Sequence, residues 1–509
     1  MKNEQEQEPE LEAPLLPGDG DARKAAAAAG SAYALVCSLV ASAISIIYGY
    51  NRGVMSGAQK FVQDDLGISD AQIEVLIGAT SIYSLVGSLA AGWACDRAGR
   101  RRTMALSAAL FFAGSAITGA ASGYAALMAG QLVAGVACGF GLVVAPVYIA
   151  EMAPAASRGF LSSIPEIAGN SGILLSYIAD FALAGLPESV NWRLMIGVGA
   201  VPPLFLAAAT LLAMPETPRW LVLNGHHDEA RRVLTRTTGD AALADRRLQD
   251  IVSSARESPK QAVSGDGKKE ARPSTSVWRD LLVRPTPSIR RVLLAVLGLQ
   301  FFQQASGVAA LVLYAPRVFN RAGITSQHAV LGATILLGVV KTVSIVIPLF
   351  LTDRLGRRPM LLTSAGGMAA SLLVLGFSLR AAPAADAGAA WWAAATSVAA
   401  AAAFMATFSL GFGPVIWMYG SEILPLRLRA QGTGIGTAVN RVMSAVVGMT
   451  FISMYEAVGM AGSFYIFAGF AAAAWVFVYA CLPETKGRSL EEMEALFDGS
   501  AESPSLMTQ

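Results

Sequence analysis

The sequence predicts an all-α membrane protein: twelve transmembrane helices in two six-helix halves, with a cytosolic helical linker between them. Three observations lead there. Hydrophobic residues fill 54% of the 509 positions and charged residues only 15%, where a soluble domain carries about a quarter charged, and the mean hydropathy is +0.51. About twelve apolar segments follow one another, each near the ~20 residues that a spanning helix needs. Landmarks of the first six then return in the same order in the second six.

Residues 1–30 read as a cytosolic tail, acidic and Ala/Pro-rich to residue 24, without the early apolar core of a cleaved signal peptide. The first half occupies 31–214, with spans at 33–55, 73–94, 103–122, 124–150, 159–182 and 193–214. The linker, 215–290, has amphipathic helical spacing at 228–234, while the Ser-, Lys- and Gly-rich stretch 253–276 is expected to be disordered. The second half occupies 291–482, with spans at 291–319, 329–352, 359–379, 391–420, 429–455 and 460–482, and 483–509 is a second cytosolic tail. The first span closes on Gly49-Tyr50-Asn51-Arg52-Gly53-Val54-Met55-Ser56-Gly57. Three glycines and an Asn-Arg pair are expected to interrupt regular winding there. Polar groups at membrane depth are tolerated where they face protein or a water-filled path, so this helix is expected to line one.

Loop charges set the orientation. Arg97, Arg100, Arg101 and Arg102 lie in the 94–103 loop and Arg354, Arg357 and Arg358 in the 353–358 loop, whereas the 58–72 loop holds Asp64, Asp65 and Asp70 against Lys60. The positive-inside rule puts both arginine clusters, both termini and the linker in the cytosol. The repeat lies in the same residues. Asp96-Arg97-Ala98-Gly99-Arg100-Arg101 returns as Asp353-Arg354-Leu355-Gly356-Arg357-Arg358, the pair Glu151 and Arg158 as Glu422 and Arg429, and Pro215-Glu216-Thr217 as Pro483-Glu484-Thr485. Paired halves with a site between them suit alternating access. The acids and arginines of these motifs form a candidate cytosolic gate, linking neighbouring helices of one half when that face is closed. The plainer reading makes the arginines topology anchors, which leaves the paired acids unexplained.

Together these motifs resemble the sugar porter branch of the major facilitator superfamily, and within it the plant polyol/monosaccharide transporters. Beside the repeats above, the resemblance is carried by Pro146-Val147-Tyr148-x-x-Glu151, Pro215-Glu216-Thr217-Pro218-Arg219-Trp220, Phe302-Gln303-Gln304-Ala305-Ser306-Gly307, Gly413-Pro414-x-x-Trp417 and Glu422-Ile423-x-Pro425-Leu426-Arg427. It covers about residues 30 to 495. It implies the major facilitator fold and a sugar or polyol site between the halves, with Gln303, Gln304, Trp417 and Asn440 from the second half and Glu166 from the first. The chemistry suits hydroxylated ligands, since amides donate and accept at once and an indole offers an apolar face. On residue type alone, the Gln pair serves equally well as interhelical glue.

Three positions depart from the family pattern. Proton-coupled members have Gly-Tyr-Asp on helix one and Gly-Arg on helix four, where this chain has Gly49-Tyr50-Asn51 and Gly130-Gln131. An amide does not titrate, so the coupling position is expected to drive little or no proton symport. Ala309 stands where the family has Asn or Asp. Arg52, beside Asn51, is expected either to reach Glu166 as a relocated ion pair or to make the cavity attractive to anions. Lys341 and Arg441 are further intramembrane cations that pair or snorkel. Phe301, Phe302 and Phe408 line a pocket or simply pack.

Other classes are weaker. The net charge of +2 offers nothing to a nucleic acid. His226, His227 and His328 fall in loops, so no histidine relay crosses the membrane. Cys37, Cys95, Cys138 and Cys481 lack metal or disulfide spacing, and no nucleophile–base set or cofactor motif marks an enzyme. The expected protein is a monomer in the lipid bilayer, at the plasma membrane rather than the vacuolar membrane. It moves a small neutral sugar or polyol, together with protons only where coupling persists. The alternatives are a non-transporting sugar sensor and a facilitative uniporter of another small solute.

Overall fold

The computed structural model describes residues 19–154, 157–257, 286–381, 390–424 and 428–486. The side chains of Arg158, Asp353 and Arg429 lie outside that description, as do most of the stretch expected to be disordered and most of both tails. Every regular element among the described residues is a helix. In the first half these are α1 (Asp19–Leu66), α2 (Asp70–Ala98), α3 (Arg100–Gly119), α4 (Tyr124–Met152), α5 (Arg158–Leu183), α6 (Glu188–Val198) and α7 (Val201–Leu212). Then come α8 (Pro218–Leu223), α9 (His227–Thr238) and α10 (Ala241–Glu257). The second half has α11 (Pro287–Ala305), α12 (Val308–Arg321), α13 (Gln327–Ser344), α14 (Ile347–Leu355), α15 (Arg357–Ala381), α16 (Ala390–Leu410), α17 (Val415–Ile423) and α18 (Arg429–Cys481).

Nine helical stretches among the described residues are long and apolar enough to cross a bilayer. One of them, Gln431–Cys481, is too long for a single crossing. It turns at Gly459, whose φ of 80° is a left-handed conformation that an L side chain resists. With α3 and α5 packed among them, the spans make up the twelve-helix fold. Other breaks have equally local causes. Pro202 and Pro203 start α7, and Gly307, at φ 83°, separates α11 from α12.

Several expectations change. The first helix is not interrupted at 49–57: α1 is continuous over 48 residues. Gly49, Gly53 and Gly57, four residues apart, instead form a stripe against α5. A Cβ on them would meet the Gly169 carbonyl, Ser176 with Ile173, and Asp180 respectively. Small residues at this spacing let two membrane helices approach backbone to backbone. The acidic loop also shrinks. α1 runs to Leu66, and Ser69 and Gln72 cap α2 reciprocally, so Asp64 and Asp65 are helical and only 67–69 turn. His227 opens α9 and His328 lies in the first turn of α13, so neither is a loop residue.

Within each half the helices pack as pairs, α1 on α5 and α2 on α4 in the first, α11 and α15 on α18 in the second. The halves meet along α2 with α18 and α5 with α13. The apolar face of α9, with Ala230 and Val233 buried, joins the core of the first half.

Candidate functional site

The repeated motifs build the same structure twice. Glu216 accepts from the backbone N–H groups of Arg100 (2.9 Å) and Arg101 (3.2 Å), and Glu484 accepts from those of Arg357 and Arg358 (3.0 Å each). Each Pro-Glu-Thr carboxylate therefore caps the N-terminus of a membrane helix, where the helix dipole favours a negative charge. Burial pushes the Glu216 carboxyl up from its ordinary value, against the pull of the Thr217, Arg101 and Arg100 N–H groups. Arg100 pairs with Glu151 at 3.0 Å, tying α3 to α4, and Arg357 pairs with Glu422 at 2.8 Å, tying α15 to α17. Asp96 reaches Arg100 only at 3.8 Å and is largely exposed. Arg101 and Arg358 donate to carbonyls at the ends of α7 and α18. Arg97 lies over the Trp93 ring, and Arg354 offers its carbonyl to Lys486. Tyr148 donates to the Pro215 carbonyl and Tyr419 to that of Pro483. The helix caps and these tyrosines carry no role in the sequence reading, although a Tyr-x-x-Glu repeat and a repeated Pro-Glu-Thr are signals for them.

At the middle of the second half, amides form a closed cluster. Gln303 donates to the carbonyls of Phe412 (2.6 Å) and Gly413 (3.1 Å), at the break between α16 and α17. Asn440 donates to Gln303 (2.5 Å) and Gln300 (2.8 Å), and Gln304 donates to Asn440 at 3.2 Å. Gln304 keeps one buried oxygen, Oε1, without a partner. Trp417 is partly exposed on α17. The rings of Phe301 and Phe302 pack on each other and on Phe470 and Phe477, and Phe408 stacks on Phe404.

Asn51, Gln131, Arg52 and Arg441 meet in one cavity between α1, α2, α4 and α18. Gln131 accepts from Thr80 at 3.1 Å, and Asn51 accepts a long 3.9 Å contact from Cys138. No ion pair joins Arg52 to Glu166 among the described residues. Arg52 donates instead to Tyr48 (3.0 Å) and, across the halves, to Ser444 (3.2 Å). Arg441 does not snorkel either: it is 6% exposed and donates to Tyr48 (3.2 Å) and Asn440 (2.7 Å). Glu166 is exposed on α5 and accepts from Asn170 at 3.5 Å.

The ends of the molecule differ. Opposite the arginine loops, Arg317 reaches from α12 to Asp70 (2.8 Å), Gln63 (2.5 Å) and Gln59 (3.2 Å). Pro316 lacks an N–H and its ring crowds the carbonyl four residues back. That carbonyl, of Val312, accepts from Tyr177 at 2.8 Å, and Gln59 donates to the next one, of Leu313, at 3.2 Å. Glu74 binds the Ser453 hydroxyl at 2.6 Å. These bonds close one end across both halves, whereas the arginine-loop bonds described above lie within a half. Sequence reasoning missed this closure; an arginine directly after Pro316 is the available signal.

Comparison with known proteins places the fold. The sugar (and other) transporter family matches residues 37–497. The chain belongs to the sugar transporter family. Polyol transporter 5 of Arabidopsis thaliana is 49% identical over 469 residues, covering 92% of this chain and 86% of the relative. Putative polyol transporter 1 of the same plant is 50% identical over 470 residues, covering 92% and 91%. A solved structure of the major facilitator superfamily proton:xylose symporter XylE, bound to 6-bromo-6-deoxy-D-glucose, is 25% identical with a TM-score of 0.73, covering 92% of this chain and all (100%) of that one. As a sugar transporter family member, the chain is a multi-pass integral membrane transporter and not an enzyme.

Proposed function

We propose that the protein carries neutral polyols or monosaccharides across the membrane by alternating access, with little or no proton drive. The observation that carries this reading is the amide cluster of Gln300, Gln303, Gln304 and Asn440, whose buried Gln304 Oε1 still lacks a donor. A substrate hydroxyl supplies that donor, and its own oxygen accepts in return. The similarity to polyol transporters supports the substrate class. Weak coupling follows from Asn51 and Gln131, which line one cavity and hold no titrating proton. We assign the arginine-loop end to the cytosol, with the two halves divided at 215–290, and the plasma membrane as the site of action.

The test is uptake by the full chain in proteoliposomes, across sorbitol, mannitol, inositol, hexoses and pentoses. Solute should equilibrate without accumulating under an inward proton gradient. Steep accumulation abolished by a protonophore would refute weak coupling, and loss of it in Glu166→Gln would then assign the proton to Glu166. Absence of any flux would refute the carrier reading in favour of a sensor.

A further inference from the structure

Two guanidinium groups share the cavity between α1, α2, α4 and α18, and no carboxylate among the described residues lines it. Its polar walls are Tyr48, Asn51, Thr80, Ser81, Ser84 and Gln131, all uncharged side chains, beside Arg52 and Arg441. Both arginines donate to the same phenol oxygen, Tyr48, at 3.0 and 3.2 Å. A phenol accepts these bonds without cancelling either charge. Arg441 is 6% exposed, and its Nε has no hydrogen-bond partner. Glu166 forms no ion pair with either arginine among the described residues. A buried cation without an anion is costly in a desolvated site, and a guanidinium fork matches a carboxylate in shape as well as charge.

The cavity also adjoins the amide cluster. Arg441 donates to Asn440 Oδ1 at 2.7 Å, and the same oxygen accepts from Gln304 at 3.2 Å, beside the unpartnered Gln304 Oε1. One ligand with a carboxylate at one end and hydroxyls along the rest would meet both sets of groups at once. We propose that the Arg52–Arg441 cavity is a carboxylate site, and that the substrates include polyhydroxylated monocarboxylates, the aldonates and uronates. This deepens the reading of the chain as a carrier of hydroxylated solutes and rests on it.

Gluconate and sorbitol make a matched pair, six-carbon chains that differ in a carboxylate. On the full chain in proteoliposomes, gluconate should compete for labelled sorbitol at least as well as unlabelled sorbitol does, and labelled gluconate should itself enter. Arg52→Gln should weaken gluconate roughly tenfold or more relative to sorbitol, as expected for loss of a charge-assisted bond. Arg52→Lys, which keeps the charge and loses the fork, should fall between. Failure of gluconate and glucuronate to compete with sorbitol in the wild-type protein would overturn the proposal without any variant. So would an unchanged gluconate-to-sorbitol ratio in folded Arg52→Gln, or competition by chloride alone. Sorbitol uptake in the same vesicles reports separately on the carrier reading, which fails only if neutral solutes do not move.

Discussion

Gln303 and Gln304 are neighbours in sequence with different duties. Gln303 spends its amide on the Phe412 and Gly413 carbonyls and its oxygen on Asn440, so it holds the break between α16 and α17. Gln304 retains a free acceptor in the same cluster. Gln304→Ala should therefore weaken substrate binding by about 1–3 kcal/mol, the cost of a lost bond in a desolvated site, with little change in melting temperature. Gln303→Ala should lower both affinity and thermal stability, because it strands two carbonyls. Equilibrium binding and thermal unfolding in detergent separate the two outcomes. In the cavity that Asn51 and Gln131 line, Asn51→Asp with Gln131→Arg should make uptake steeper with external acidity, since an acid that titrates then faces it. A flat pH profile in that double variant would mean that Arg52 holds the new acid ionised.

Helix α1 shows how one residue type supports opposite expectations. Read alone, Gly49, Gly53 and Gly57 suggest a weakened helix, because glycine costs about 1 kcal/mol in a helix interior. Against α5 they permit a close approach that no other residue allows. Gly53→Val should destabilise the protein by about 1–3 kcal/mol through overpacking against Ile173 and Ser176, read as a fall in melting temperature. Gly469→Ala, with open space around the new methyl, should leave stability the same or slightly higher. Equal losses at both positions would remove the packing account. The proline break in α12 has the same logic: the carbonyls beside it are satisfied by Tyr177 and Gln59 of the other half, so a local defect becomes a contact between halves.

For the whole molecule, this structure is closed at one end across the two halves. Arg317 with Asp70, Gln59 and Gln63, and Glu74 with Ser453, must separate for that end to open. Asp70 is partly exposed, so the ion pair is worth about 1 kcal/mol or less. Asp70→Asn should shift the balance toward opening at that end by roughly fivefold or less. Spin labels at Asp64→Cys and Ile324→Cys, placed in a Cys481→Ser background because that native cysteine is exposed, should then show a larger long-distance population. An unchanged distribution would exclude Arg317–Asp70 as part of the closure.

Periodic and compositional signals reach far in this chain. Apolar runs fix which residues enter the membrane, and two copies of Asp-Arg-x-Gly-Arg-Arg, Glu and Pro-Glu-Thr reveal the paired halves. Hydrophobicity and repetition act along the chain, and so a linear reading captures them. Partners distant in sequence are another matter. Only the packed helices show that Arg52 turns to Tyr48 and Ser444 and not to Glu166. The same holds for Arg441, which links the amide cluster to the cavity, and for Arg317, which closes the far end. A buried polar group takes whichever partner the fold brings within about 3 Å, and that choice is made by helix packing between segments hundreds of residues apart.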